Sequence, residues 1–227
     1  MKNNEQVGKM FHMLLILLLF VMAVWLGYVV LHLRASPPGL NALVGTSLDT
    51  SGVSNPVTAV LLNFRGYDTL LEMGVLLLAL LGVLSLGSAS DSRETPPGLV
   101  LDFLSRLLVP VLILVSGYLL WAGAHAPGGA FQAGAVLGAA AVLLLLSGWH
   151  LGEQFSGLLL RAVLILGIGV FILAGIVLII FSGNFLEYPQ SLAGAMILMI
   201  ETAAMLSIGV TLAALFQGIA PTGGQDK

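Results

Sequence analysis

The sequence predicts an all-α, polytopic integral membrane protein with about six transmembrane helices, N-terminus in and C-terminus in, and three observations carry that expectation. Of its 227 residues, 58% are hydrophobic and only 8% charged, against roughly a quarter charged in an ordinary soluble domain. The apolar residues gather into six runs, at 10–33, 68–86, 99–122, 130–151, 157–181 and 192–216, each near the roughly 20 residues that cross the hydrocarbon at about 1.5 Å of rise per residue. Six crossings return the chain to its starting side. Lys2, Lys9, Arg93, Arg106, Arg161 and Lys227 then fall on or near the cytoplasmic face, against Arg34 and Arg65 outside, as the positive-inside bias requires.

The first run follows Lys2 and Lys9 and is longer than the apolar core of about 7–15 residues in a signal peptide, so it reads as a retained helix. The second needs a break. A continuous helix over 57–86 would run about 45 Å, well beyond a hydrocarbon core of about 30 Å, and Gly66 is the natural place to interrupt it. That leaves 57–64 as a short apolar segment at the interface or against protein, with Arg65 at its end. The polar stretch 88–98 ends in Pro96-Pro97-Gly98, which halts helices and marks a linker. The expected organisation is a membrane module at 1–90, a linker at 91–98, a four-helix module at 99–218 and a polar tail at 219–227. Pro-Pro-Gly-Leu occurs at both 37–40 and 96–99, but its flanks differ, and shared turn chemistry explains it. The fourth run opens on Gly128 and Gly129 and carries a stripe of Ala130, Gly134 and Gly138, the small-residue spacing that lets membrane helices approach closely.

Composition excludes several classes of function. Without cysteine there are no disulfides, thiolate metal sites or iron–sulfur ligands within the chain. His12, His32, His125 and His150 stand far apart with no i,i+4 pair to hold a metal. No cofactor, redox centre or catalytic residue is expected within the chain, so it is not expected to be an enzyme by itself. A net charge of −3 without basic runs gives no indication of nucleic acid.

Ionisable residues among apolar ones are costly to keep in a membrane and suggest ion passage. The stretch NPVTAVLLNFRGYDTLLE, residues 55–72, holds Arg65, Asp68 and Glu72. Asp68 and Glu72, four apart, would share one helix face about 6 Å apart along the axis, a stepping geometry for H+ or for Na+ held by carboxylate oxygens. The plainer alternative is acidic capping of a helix start with Arg65 as counter-ion, which suffices for Asp68 but not for Glu72 a full turn further in. Glu201 is an acid within the last run with no cation on its helix. It is either part of a path or a neutral group bonding a neighbouring helix. Thr58, Asn63 and Gln132, with Asn55, Ser116 and Tyr118, are candidates to line a hydrated path; Gly134 and Gly138 are candidates for helix packing.

Two segments together resemble known families. Residues 55–72 resemble the signature of the small E-type subunit of membrane-bound hydrogenases, which is also the C-terminal part of the large A-type subunit of Mrp/Mnh-type Na+/H+ antiporters. SRLLVPVLILVSGYLLWAGAHAPGGAFQAGAVLGAA, residues 105–140, resembles the B-type subunit of those antiporters and its hydrogenase counterpart. Leu71 stands where the E-type motif often has Gly, and Ala124-His125-Ala126 where many B-type subunits have His-Asn. The resemblance implies a fusion of E-like and B-like modules acting as a membrane subunit of a multisubunit monovalent cation/proton antiporter in a prokaryotic cytoplasmic (inner) membrane. It implies transported Na+ or H+, with Asp68 and Glu72 in the translocating part, and partners that include large antiporter-like subunits within the lipid bilayer. The alternatives are an ion-translocating subunit of a complex-I-like respiratory complex such as a membrane-bound hydrogenase, or a purely structural assembly subunit.

Overall fold

A computed structural model describes residues 2–32, 40–85, 98–148 and 157–217, with side chains described from residue 10. Every regular element among them is helical: α1 Lys2–Leu31, α2 Leu40–Ser47, α3 Pro56–Ala59, α4 Gly66–Ser85, α5 Leu99–Ala122, α6 Ala130–Leu146, α7 Gly157–Ser182 and α8 Ala193–Gln217. A 3₁₀ turn at Leu48–Thr50 precedes α3, and a π-helical turn at Val60–Phe64 follows it. Five helices, α1, α4, α5, α7 and α8, are long and apolar enough to cross a membrane.

The fourth run is the exception to the expected lengths. α6 stops at Leu146 after 17 residues, about 26 Å, instead of continuing to 151. Ser147 turns its hydroxyl back to the Leu143 carbonyl at 2.8 Å, and Gly148 takes φ 86°, the left-handed residue that commonly closes a helix. The linker at 91–98, apart from Gly98, and the tail at 219–227 lie outside the described residues.

The chain divides into two compact units, Met1–Leu43 and Val44–Lys227. In the first, every described side chain from Met10 to His32 is exposed. A helix apolar on all sides has no face suited to water, and suits lipid.

In the second unit α8 is the central element. It packs on α6, α7 and α4, while α5 lies against α6, and Phe171, Ile197 and Ile200 are fully enclosed at its heart. Small residues set the spacing of α6 and α8. A Cβ at Gly134 would lie 2.9 Å from Ile208 Cβ and 3.1 Å from the Met205 carbonyl, and one at Gly138 would lie 3.2 Å from the Gly209 carbonyl. Attraction between membrane helices comes from such close contact, because lipid tails are as apolar as leucine. Gly134→Leu should therefore force α6 off α8, with a loss on the order of 1–3 kcal/mol from overpacking. The yield of folded protein after mild heating in detergent reports it, and a yield equal to wild type would refute the packing role.

The 44–85 segment joins this second unit through α4, which packs on α7 and α8. Continuous helix over 57–86 does not occur: the chain breaks at Arg65, with φ −130° and ψ 36°. The Arg65 N–H donates back to the Val60 carbonyl at 2.7 Å, the wide register of a π turn. Two carbonyls beside the break find side-chain donors. Leu61 accepts from the Thr69 hydroxyl at 2.6 Å and Leu62 from the Tyr188 phenol at 3.1 Å. Burial raises the Tyr188 phenol well above its ordinary value, so it stays protonated and remains a donor. Broken backbone at membrane depth persists only where protein supplies such partners.

Candidate functional site

The residues of the NPVT motif fasten the start of α3 to the connection between α5 and α6. Pro56 takes the first helical position and Asn55 caps it, its Oδ1 accepting from the Val57 N–H at 3.0 Å. The same amide donates through Nδ2 to the Gly123 carbonyl at 3.1 Å and the Ala126 carbonyl at 2.6 Å. Thr58 donates to the Gly123 carbonyl at 2.5 Å, and the backbone N–H groups of Ser54 and Asn55 both reach the Ala124 carbonyl. The carbonyls left unpaired where α5 ends are thus satisfied from another part of the chain.

The clamped connection ends in Gly129, at φ 105° and ψ −174°, a conformation essentially confined to glycine. It brings the start of α6 against α8, where the Ala130 N–H donates to Glu201 Oε1 at 3.4 Å. Glu201 is 4% exposed, and the unpaired N–H groups and positive end of a helix favour a carboxylate at that place. Its Oε2 accepts no hydrogen bond among the described residues. No fully enclosed side-chain oxygen among them lacks a partner, so Oε2 faces open space. Glu201 borders a cavity of about 30 Å³, lined also by Thr58, Thr69, Gly128, Gly129, Gln132 and apolar neighbours that include Phe171 and Ile200. About 10–15 Å³ of such space holds one water, so the cavity admits one or two small guests.

The structure therefore gathers Glu201, Thr58, Gln132 and the Gly128-Gly129 turn around one cavity. It does not bring Asp68 and Glu72 there. Asp68 pairs with Arg65, both about half exposed, at the start of α4. Glu72, one turn on, is exposed and forms no hydrogen bond or ion pair among the described residues, while Leu71 and Val75 beside it are exposed apolar residues. Asn63 donates to the Ser51 carbonyl at 3.3 Å, and Ser116 donates to the Ala133 carbonyl at 2.8 Å. Tyr118 is exposed. Sequence reasoning missed Thr69 and Tyr188, and neither carries a pattern that sets it apart. The signal that existed was the break itself, whose carbonyls required donors from somewhere.

Residues 100–217, about half of the chain, match the family described as a domain related to the MnhB subunit of Na+/H+ antiporter. The chain belongs to that family. Two solved structures share the fold of this MnhB-related protein over nearly its whole length, including the segment before residue 100. One is the membrane-bound sulfane sulfur reductase, an archaeal respiratory membrane complex, with TM-score 0.69 and 23% identity over 91% of this chain and 97% of that one. The other is the Mrp complex from Dietzia sp. DQ12-45-1b, with TM-score 0.69 and 22% identity over 95% of this chain and 26% of that one. At these identities the likeness is one of fold. No curated protein matches the chain. The match to the MnhB-related family agrees with the B-like resemblance of residues 105–140.

Proposed function

We propose that this membrane subunit of the Mrp antiporter type contributes a stretch of the ion pathway through Glu201, and that Arg65, Asp68 and Glu72 continue the path on the face turned to partner subunits. Membership in the MnhB-related family supports the antiporter assignment. The observation that carries the role is the buried Glu201 carboxylate, bonded through Oε1 to the start of α6 and bordering a cavity beside a broken helix. Packing glue would satisfy both oxygens against a neighbouring helix, and this carboxylate leaves one free. Glu72 supports the second part, because a carboxylate among exposed apolar side chains needs a polar partner or a hydrated cleft, and none of the described residues gives it a partner.

The same reading takes residues 1–90 as an E-type-like module, joined to the MnhB-related part in a prokaryotic cytoplasmic membrane, with large antiporter-like subunits as partners and Na+ or H+ as cargo. A respiratory complex is the second reading, favoured by the match to the sulfane sulfur reductase over 97% of that chain. Redox centres would then lie in partner subunits, and the role of this chain in ion passage would be unchanged.

In the assembled complex, Glu201→Gln keeps side-chain volume and removes the charge. Na+/H+ exchange in membrane vesicles should fall by roughly tenfold or more, equivalent to about 1.4 kcal/mol on the transport barrier, with subunit composition intact. Glu72→Gln should act in the same direction and Asp68→Asn more mildly, since Arg65 already offsets Asp68. Undiminished exchange by an assembled Glu201→Gln complex would remove the carboxylate from the path. Orientation has its own measurement. Single cysteines near Asp91 and near Gln154 should be shielded from an impermeant thiol reagent applied outside while one near Gly128 reacts, and the opposite pattern would invert the topology.

A further inference from the structure

We propose that the cavity at Glu201 is a binding site for one largely dehydrated Na+ ion, held by the Glu201 carboxylate together with the hydroxyl oxygens of Thr58 and Thr69. The inference rests on the reading of Glu201 as part of the ion path and names what occupies that part of it.

Three observations converge. The first is the polarity of the wall. Thr58 commits its hydroxyl proton to the Gly123 carbonyl at 2.5 Å, and Thr69 commits its own to the Leu61 carbonyl at 2.6 Å. A hydroxyl carries one donor and two acceptor sites, so both threonines have only lone pairs left to present to the cavity they line. Glu201, whose Oε2 accepts no hydrogen bond among the described residues, lines the same cavity as these two threonines. Hydroxyl oxygens left with only lone pairs, beside a carboxylate, complement a cation.

The second observation is charge. A single carboxylate borders the cavity, and among the described residues no group of three or more His, Cys, Asp or Glu side chains converges anywhere. In a low-dielectric surrounding, one negative charge balances one positive charge, whereas a divalent ion would leave a whole charge uncompensated and would call for the several carboxylates that Ca²⁺ sites use.

The third is the setting. The cavity lies where a helix is interrupted, between the π turn at Val60–Phe64 and the start of α4, and interrupted membrane helices are recurrent hosts for coupling ions because their freed carbonyls can complete a coordination shell. The Leu61 and Leu62 carbonyls each accept one bond from a side chain, and a carbonyl oxygen keeps a second lone pair. A space of about 30 Å³ is room enough for a small ion with a water.

The experiment measures ²²Na+ binding to the purified, assembled complex in detergent, in parallel with Na+/H+ exchange by the same preparations in vesicles. The wild-type complex should bind one more Na+ than the Glu201→Gln complex, and Glu201→Asp, which retracts the carboxylate by one methylene, should weaken that site at least tenfold while the assembly survives. Thr69→Val, which keeps the shape and removes the hydroxyl oxygen, should weaken that site as well. Ca²⁺ at equal concentration should displace none of this Na+. Equal Na+ binding by wild type and Glu201→Gln, with exchange lost in the variant, would overturn the Na+ site and leave Glu201 as a proton group in the path. Equal binding with exchange also intact would overturn both the site and the reading it rests on. Displacement by Ca²⁺ would overturn the monovalent assignment.

Discussion

Gly129→Ala is expected to be among the most damaging single substitutions in this chain. The backbone at φ 105° and ψ −174° costs a residue with a side chain about 1–3 kcal/mol, and the new Cβ would stand 2.7 Å from Glu201 Oε1. Either the carboxylate leaves the Ala130 N–H or the turn before α6 shifts, and both disturb the cavity. Thermal stability of the purified complex should drop, and exchange should fall roughly tenfold or more in whatever assembles. Gly74→Ala is the comparison, since its Cβ would meet only Ile168 Cδ1 at 3.9 Å, and its effect should stay within about 0.5 kcal/mol. Equal behaviour of the two variants would show that the Gly129 conformation carries no special weight.

Asn55→Ala should cost on the order of 3 kcal/mol, because it removes a helix cap and two buried donors at once. The amide closes α3 through Val57 and holds the Gly123 and Ala126 carbonyls, so its loss frees the connection that positions the start of α6. Asn55→Ser separates the two parts. Serine can restore the cap, worth about 1 kcal/mol, but cannot reach both carbonyls, and the variant should recover only a minor share of the stability. Thermal unfolding of the complex measures both, and a loss below about 0.5 kcal/mol for Asn55→Ala would refute the clamp.

The fold class was legible because a bilayer imposes a one-dimensional rule. A stretch of about 20 apolar residues spans it whatever lies alongside, so composition and run length placed the long helices without knowledge of their neighbours. The interruption near Gly66 was legible for the same reason, since 57–86 is too long for the hydrocarbon. The end of α6 was not extracted from length alone, because Ser147 and Gly148 stop a helix through local hydrogen bonding and a left-handed turn inside an otherwise apolar stretch.

For the site, the sequence determined which groups could carry charge, since Arg65, Asp68, Glu72 and Glu201 stand out in so apolar a chain. What it could not determine was which of them meet. Asp68 and Glu72 drew attention by their i,i+4 spacing, yet α4 turns them to the outer face, because its other side, with Met73 and Thr69, is the one packed inward. Glu201 looked isolated on its helix, yet α8 carries it to the N-terminus of α6, 71 residues away in sequence. Thr58 and Thr69 join it from a third region only because the Asn55 clamp and the break at Arg65 bring that region across. Periodicity and residue type fix which side chains share one helix face, but the meeting of faces from distant helices depends on close packing at Gly134 and Gly138 and on bonds between loops, and these exist only once the chain has folded.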